Sequence, residues 1–143
     1  MRRASAILAT AALALGACGA TLAGCGGGGG EDDVEATLNS YVDAFVDGDG
    51  AKACSLMSAQ TRTQFTNRVK LITKTSDCGK SIETIRKQAG PTVLAALKKT
   101  EVSDVKVDGD TASAKLTSGA NTSRAQLRKE GGEWRVTAVP GTQ

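Results

Sequence analysis

The sequence predicts an α+β domain in which N-terminal helices pack on one face of a C-terminal antiparallel sheet of about four strands. Two observations carry this expectation. Between residues 32 and 97, apolar side chains recur at helical spacing, and after Thr100 the period falls to two. Helices first and strands last is the order of an α+β domain with helices on one sheet face. A third observation sets where the domain begins: the first 24 residues read as a leader rather than as core.

The leader has three parts in order. Arg2 and Arg3 are basic, Ala6 to Leu15 is apolar but for Thr10, and small residues follow up to Cys25. A basic start, an apolar centre and a small-residue cleavage site define a secretory signal. The apolar part falls short of the roughly 20 residues a spanning helix needs. Without Arg2 and Arg3 the chain holds 16 basic and 15 acidic residues, so the exported part is almost neutral. A nucleic-acid role needs a concentrated excess of Lys and Arg, and none is predicted.

Leu22-Ala23-Gly24-Cys25 resembles the bacterial lipobox, which implies diacylglycerol on the Cys25 sulfur and cleavage just before it. Small side chains let the extended peptide enter a protease groove, and the thiol is the nucleophile that accepts the lipid. Leu15-Gly16-Ala17-Cys18 fits more loosely. Use of Cys18 would leave Cys25 as a third, odd thiol in the exported chain, and parity therefore favours Cys25. Gly26 to Gly30 then read as a flexible tether of about 12 Å. A phosphate-binding loop is excluded, because no Lys-Ser/Thr follows the glycines and no strand precedes them. The expected division is residues 1–24 as signal, 25–31 as lipidated Cys and tether, and 32–143 as the domain.

The first helix is expected over Asp32 to Val46. Val34, Leu38, Tyr41, Val42 and Phe45 form one stripe, and Glu35, Asn39, Asp43 and Asp47 lie opposite. Glu31, Asp32 and Asp33 complement the helix N-terminus, and Gly48 and Gly50 can end it. "DGDG", Asp47–Gly50, invites a calcium loop, but the register puts Phe45 and Leu56 at ligand positions, so a turn is expected. A short helix around Ala51 to Met57 would bury Cys54 or Met57. Phe65, Val69 and Ile72 suggest a further inward helical face, although Val69-Lys70-Leu71 could alternate as a strand. Cys78 leads into a helix with Ile82, Ile85 and Ala89 inward. Gly90-Pro91 breaks it, and Pro91 suits the first turn of one more short helix.

Val105 and Val107, then Ala112, Ala114 and Leu116, then Ala125 and Leu127, and last Trp134, Val136 and Ala138 alternate with polar residues. Turns are expected at Asp108-Gly109 and at Glu130–Glu133. The four segments form a meander. "NTS" at Asn121 matches a glycosylation sequon formally and reads as a turn.

Cys54 and Cys78 have 23 residues between them. Outside the membrane a lone pair of cysteines forms a disulfide, which for a loop of this size stabilises by roughly 3 kcal/mol. No metal and no cofactor are expected: a metal site would need further ligands, and histidine is absent from the sequence.

"YVDAFVDGDGAKAC", the later Cys, "VSDVKVDGDTASAKL" and the closing "GGEWRV" resemble small bacterial lipoproteins whose domain is similar to nuclear transport factor two and to ketosteroid isomerase-like proteins. The resemblance covers residues 32 to 139 and rests on turns and core positions. It implies a cone-like fold, in which a curved sheet wraps around helices and leaves a pocket. Enzymatic relatives place an acid, a histidine or tyrosines in the cone. Here Tyr41 sits on the apolar stripe, Asp43 and Asp47 lie on the polar face, and Asp104, near an expected bulge, is the best remaining pocket acid. A solvated strand acid is the better reading of Asp104, and a core or edge anchor that of Trp134. No catalytic set can be assembled.

The leading functional expectation is a non-catalytic module on the extracytoplasmic side of the cell membrane, tethered through Cys25, that binds a small apolar ligand or an envelope protein. One alternative is a tethered enzyme acting on a hydrophobic substrate in a cone pocket. Another is an interaction protein using the basic section 51–100, which holds ten bases, Arg68, Lys70 and Lys74 among them, and two acids. The preceding section, 31–50, holds seven acids and no base, and the imbalance can equally be internal complementarity.

Overall fold

A computed structural model describes residues 29–138. The leader, Cys18 and Cys25 lie outside the described residues. Five helices precede four strands: α1 Gly29–Asp47, α2 Gly50–Ser55, α3 Ala59–Thr73, α4 Cys78–Gln88, α5 Gly90–Leu97, then β1 Glu101–Asp108, β2 Thr111–Ser118, β3 Asn121–Glu130 and β4 Glu133–Ala138. The α+β reading and the four-stranded meander therefore hold. The sheet runs β1-β2-β3-β4, antiparallel throughout and open.

α1 buries the expected stripe. Val34, Leu38 and Tyr41 are buried with Ala44, and Val42 and Phe45 pack half-buried against the same cluster. Its N-terminal boundary differs from expectation. The helix starts at Gly29, so Gly29 and Gly30, placed by sequence in the tether, belong to the first turn. Glycine in a helix costs about 1 kcal/mol relative to alanine. Gly30 faces Val107 of β1, where a β-carbon would lie at an ordinary contact distance of 3.5 Å.

Each of the next three helices is capped by a side chain that composition alone does not single out. Asp49 accepts from the Lys52 N–H at 3.0 Å, Ser58 from the Thr61 N–H at 3.1 Å and Asp77 from the Lys80 N–H at 2.8 Å. Such caps satisfy backbone donors with no intrahelical acceptor, each stabilising by about 1 kcal/mol. α2 buries Cys54, and Met57 just after it is also buried. The Val69-Lys70-Leu71 ambiguity resolves as helix.

One inward assignment is corrected. Ile72, expected on the buried face of α3, is 61% exposed, and the buried position there is Thr73. Phe65, Val69 and Thr73 form the packed line at i, i+4 and i+8, which leaves Ile72 at its margin. Thr73 is retained inside by hydrogen bonds. Its hydroxyl donates to the Val69 carbonyl at 3.1 Å and lies 3.3 Å from Ser81 Oγ of α4.

The disulfide is present between Cys54 of α2 and Cys78, the first residue of α4. Beside it, Gly50 and Gly79 bring the two helices into backbone contact.

On the inner face of the sheet, Ala112, Ala114, Leu116, Ala125, Leu127, Trp134 and Val136 meet the helices. Leu38, Met57, Ile82, Leu127, Val34 and Val136 are the largest side chains with no more than 2% exposure. The edge of β4 is closed by the α2–α3 link: the Val136 N–H donates to the Leu56 carbonyl at 2.8 Å, and the Ser58 N–H to the Val136 carbonyl at 2.9 Å. Met57 thereby forms a parallel bridge with Val136. Edge coverage of this kind prevents unwanted strand pairing. Among the described residues, every core side chain and the disulfide lie between Val34 and Val136.

Candidate functional site

Among the described residues no helix covers the outer face of the sheet, and the residues of that face follow from strand alternation. Since Ala112, Ala114 and Leu116 point inward, Thr111, Ser113, Lys115 and Thr117 point outward. On β3 the outward set is Thr122, Arg124, Gln126, Arg128 and Glu130. Cross-strand register orders them into rows. Lys106 faces Ser113, which faces Gln126; Lys115 faces Arg124; Thr111 faces Arg128, which faces Arg135.

Two of these rows set like charges directly opposite one another, Lys115 with Arg124 and Arg128 with Arg135. Such pairs are destabilising, by a few tenths of a kcal/mol to about 1 kcal/mol. A carboxylate relieves one member of each. Asp104 pairs with Lys115 at 2.8 Å, and Glu133 pairs with Arg135. Arg135 also donates to the Ser55 carbonyl at 2.8 Å, tying β4 to α2. Arg124 and Arg128 make no ion pair among the described residues. Glu101, Asp108 and Glu130 stand near strand ends and Asp104 lies beside Lys115, so cations outnumber acids only toward the middle of the face.

Two shallow depressions follow these rows. One, of about 690 Å³, lies along Asp104, Lys106, Ser113, Lys115, Thr122 and Arg124. The other, of about 380 Å³, lies along Lys106, Thr111, Ser113, Gln126 and Arg128. Cations alternating with hydroxyl and amide groups can hold an anionic, hydrogen-bonding partner by charge-assisted contacts.

The candidate acid Asp104 belongs to this outer face. The β1–β2 register shifts between Ser103 and Lys106, confirming the expected bulge, and Asp104 there takes the left-handed conformation with φ 51°. Its side chain is exposed. The hydrogen bond and charge of Lys115 hold its carboxyl below the usual carboxylate range, with Lys106 adding to the effect. All fifteen Asp and Glu residues of the chain are exposed. Asp43 and Asp47 are on the solvent side of α1, as expected. Among the described residues, no group of three or more His, Cys, Asp or Glu side chains could hold a metal ion.

Tyr41 is in the core, where burial raises its phenol pKa above the ordinary range. Trp134 is in the core too, 4% exposed, with Lys129 Nζ 5.2 Å from its ring centroid. Asn121 opens β3 just after the Gly119-Ala120 turn. Arg68, Lys70 and Lys74 are exposed on and just after α3.

Sequence reasoning missed the outer-face rows. Lys115, Arg124 and Arg128 occupied visible outward positions, but period-two alternation says only that they leave the core. Which strands adjoin, and in what register, decides that like charges meet.

Comparison with protein-family models, curated proteins and solved structures finds no match to this chain. Among the described residues, no helix is long and apolar enough to cross a membrane.

Proposed function

We propose that the chain is an extracytoplasmic lipoprotein, anchored through Cys25, whose domain is a non-catalytic binding module for another component of the cell envelope. The leader, lipobox and glycine run support the anchor. The observation that carries the binding reading is the outer sheet face, where Arg124 and Arg128 stand opposite Lys115 and Arg135 and make no ion pair among the described residues. Like charges held face to face cost stability, and an acidic partner turns that cost into affinity and specificity.

We prefer an envelope partner to a small apolar ligand, because the described residues between sheet and helices pack as one buried apolar cluster. The tethered-enzyme reading asks for a carboxyl in a cleft with a raised pKa. The carboxylates here are exposed, Asp104 is shifted the other way, and Cys54 and Cys78 are bonded to each other. The likeness to nuclear transport factor two-like domains, with its cone-like curvature, is supported by the order of helices and meander, and we carry it as part of the proposal.

A photo-crosslinking residue at Gln126 tests the binding face in the native host. The reading predicts a discrete adduct that disappears in Arg124→Glu/Arg128→Glu, while the same probe at Glu83 on α4 gives none. Adducts indifferent to the charge reversal would contradict it.

A further inference from the structure

We propose that the C-terminal end of α3 is a second membrane contact, in which Leu71 and Ile72 enter the headgroup region of an anionic bilayer and Arg68, Lys70 and Lys74 engage its phosphates. The inference rests on the reading of the chain as a lipoprotein held at a membrane surface.

The large apolar side chains of the described residues are otherwise sorted well. Three are markedly exposed, and two of them are the adjacent pair Leu71, at 81%, and Ile72, at 61%. Neither can turn inward. The inner line of α3 is occupied by Phe65, Val69 and Thr73, and Leu71 lies across the helix from it. Thr73, bonded to Val69 and beside Ser81 Oγ, fixes the helix end on α4. The pair is therefore displayed by a fixed helix terminus.

The charge around the pair has one sign. Arg68 lies three and four positions before Leu71 and Ile72, on the same helix surface. Lys70 adjoins the pair, and Lys74 ends the helix in the left-handed conformation, φ 57°. No Asp or Glu occurs between Gly50 and Ser76. The next carboxylate, Asp77, already accepts from the Lys80 N–H.

An apolar pair ringed by cations matches the chemistry of an anionic membrane interface, where aliphatic groups sink to the acyl boundary and Lys and Arg stay at the phosphates. A protein partner fits less well. Two side chains on a convex helix end fall far below the roughly 800 Å² per partner of a stable interface.

The test uses the chain from residue 25 onward with Cys25→Ser, so that no lipid contributes, and vesicles of phosphatidylcholine with or without phosphatidylglycerol. The unmodified tip should cosediment with the anionic vesicles and lose affinity as salt rises. Leu71→Ser/Ile72→Ser and Arg68→Glu/Lys70→Glu/Lys74→Glu should each weaken this by about tenfold or more. Val93→Ser, on α5, should leave it unchanged. Absence of binding, equal binding to neutral vesicles, or binding indifferent to either set overturns the proposal. So does a concentration-dependent dimer that Leu71→Ser dissolves, which would make the patch a self-interface. Failure of the lipid anchor itself is read separately, by the mass of the native protein.

Discussion

Gly50 at the start of α2 sits directly on the backbone of Gly79 in α4: a β-carbon on Gly50 would lie 2.2 Å from the Gly79 carbonyl oxygen. The "DGDG" stretch is thus more than a turn. Asp49 caps α2, and Gly50 allows the approach that places Cys54 within reach of Cys78.

Gly50→Ala should therefore destabilise by about 1–3 kcal/mol, the usual cost of overpacking. The clash is with backbone, which cannot rotate away as a side chain can. Urea unfolding measures it. A change below about 0.5 kcal/mol would show that the two helices separate freely.

Loss of the disulfide should act on the same junction. Cys54→Ser/Cys78→Ser is expected to cost roughly 3 kcal/mol. For a domain near 100 residues, each kcal/mol lowers Tm by about 4–8 °C. The double variant should melt more than 10 °C below the oxidised protein. A matched Tm would mean that the bridge adds nothing to the fold.

Asp104 should titrate below 3.8, the ordinary value, because Lys115 stabilises its charged form. A carboxyl whose folded pKa is depressed contributes stability above its unfolded pKa and loses it as pH falls through the folded value. Any contribution from Asp104 is thus complete at neutral pH and disappears on acidification below about pH 4. NMR titration of the carboxyl carbon should show the midpoint rising toward 3.8 in Lys115→Ala. A midpoint above the ordinary value would revive a pocket-acid role.

Arg124→Glu should raise stability while weakening the module. The change replaces a like-charge pair with Lys115 by an opposite-charge pair, which is favourable by up to about 1 kcal/mol. It also removes a cation from the proposed binding face. Thermal unfolding and crosslinking at Gln126 read the two effects. A variant both less stable and fully competent would contradict the assignment of Arg124.

Much of this fold was legible because periodicity reports which side of an element avoids water. The stripe Val34–Leu38–Tyr41, the four alternating strands and the inward Ile82 needed nothing more. The parity of the cysteines was enough to pair Cys54 with Cys78. Ile72 misled because helical spacing admits two adjacent faces, and the choice went to Thr73 through hydrogen bonds made by a hydroxyl. Gly50 against Gly79, Met57 beside Val136 and Arg124 opposite Lys115 depend on contacts between distant segments, which local pattern does not encode. The start of α1 at Gly29 was hidden because glycine's poor helix propensity argues against a helix there.

We propose that this domain works at a membrane surface, held there through Cys25, and the intact mass of the protein purified from its native host is the decisive test. The expected species begins at Cys25, carries a diacylglycerol on that sulfur and keeps Cys54 and Cys78 oxidised. A mature chain beginning elsewhere, or an unmodified Cys25, would contradict it.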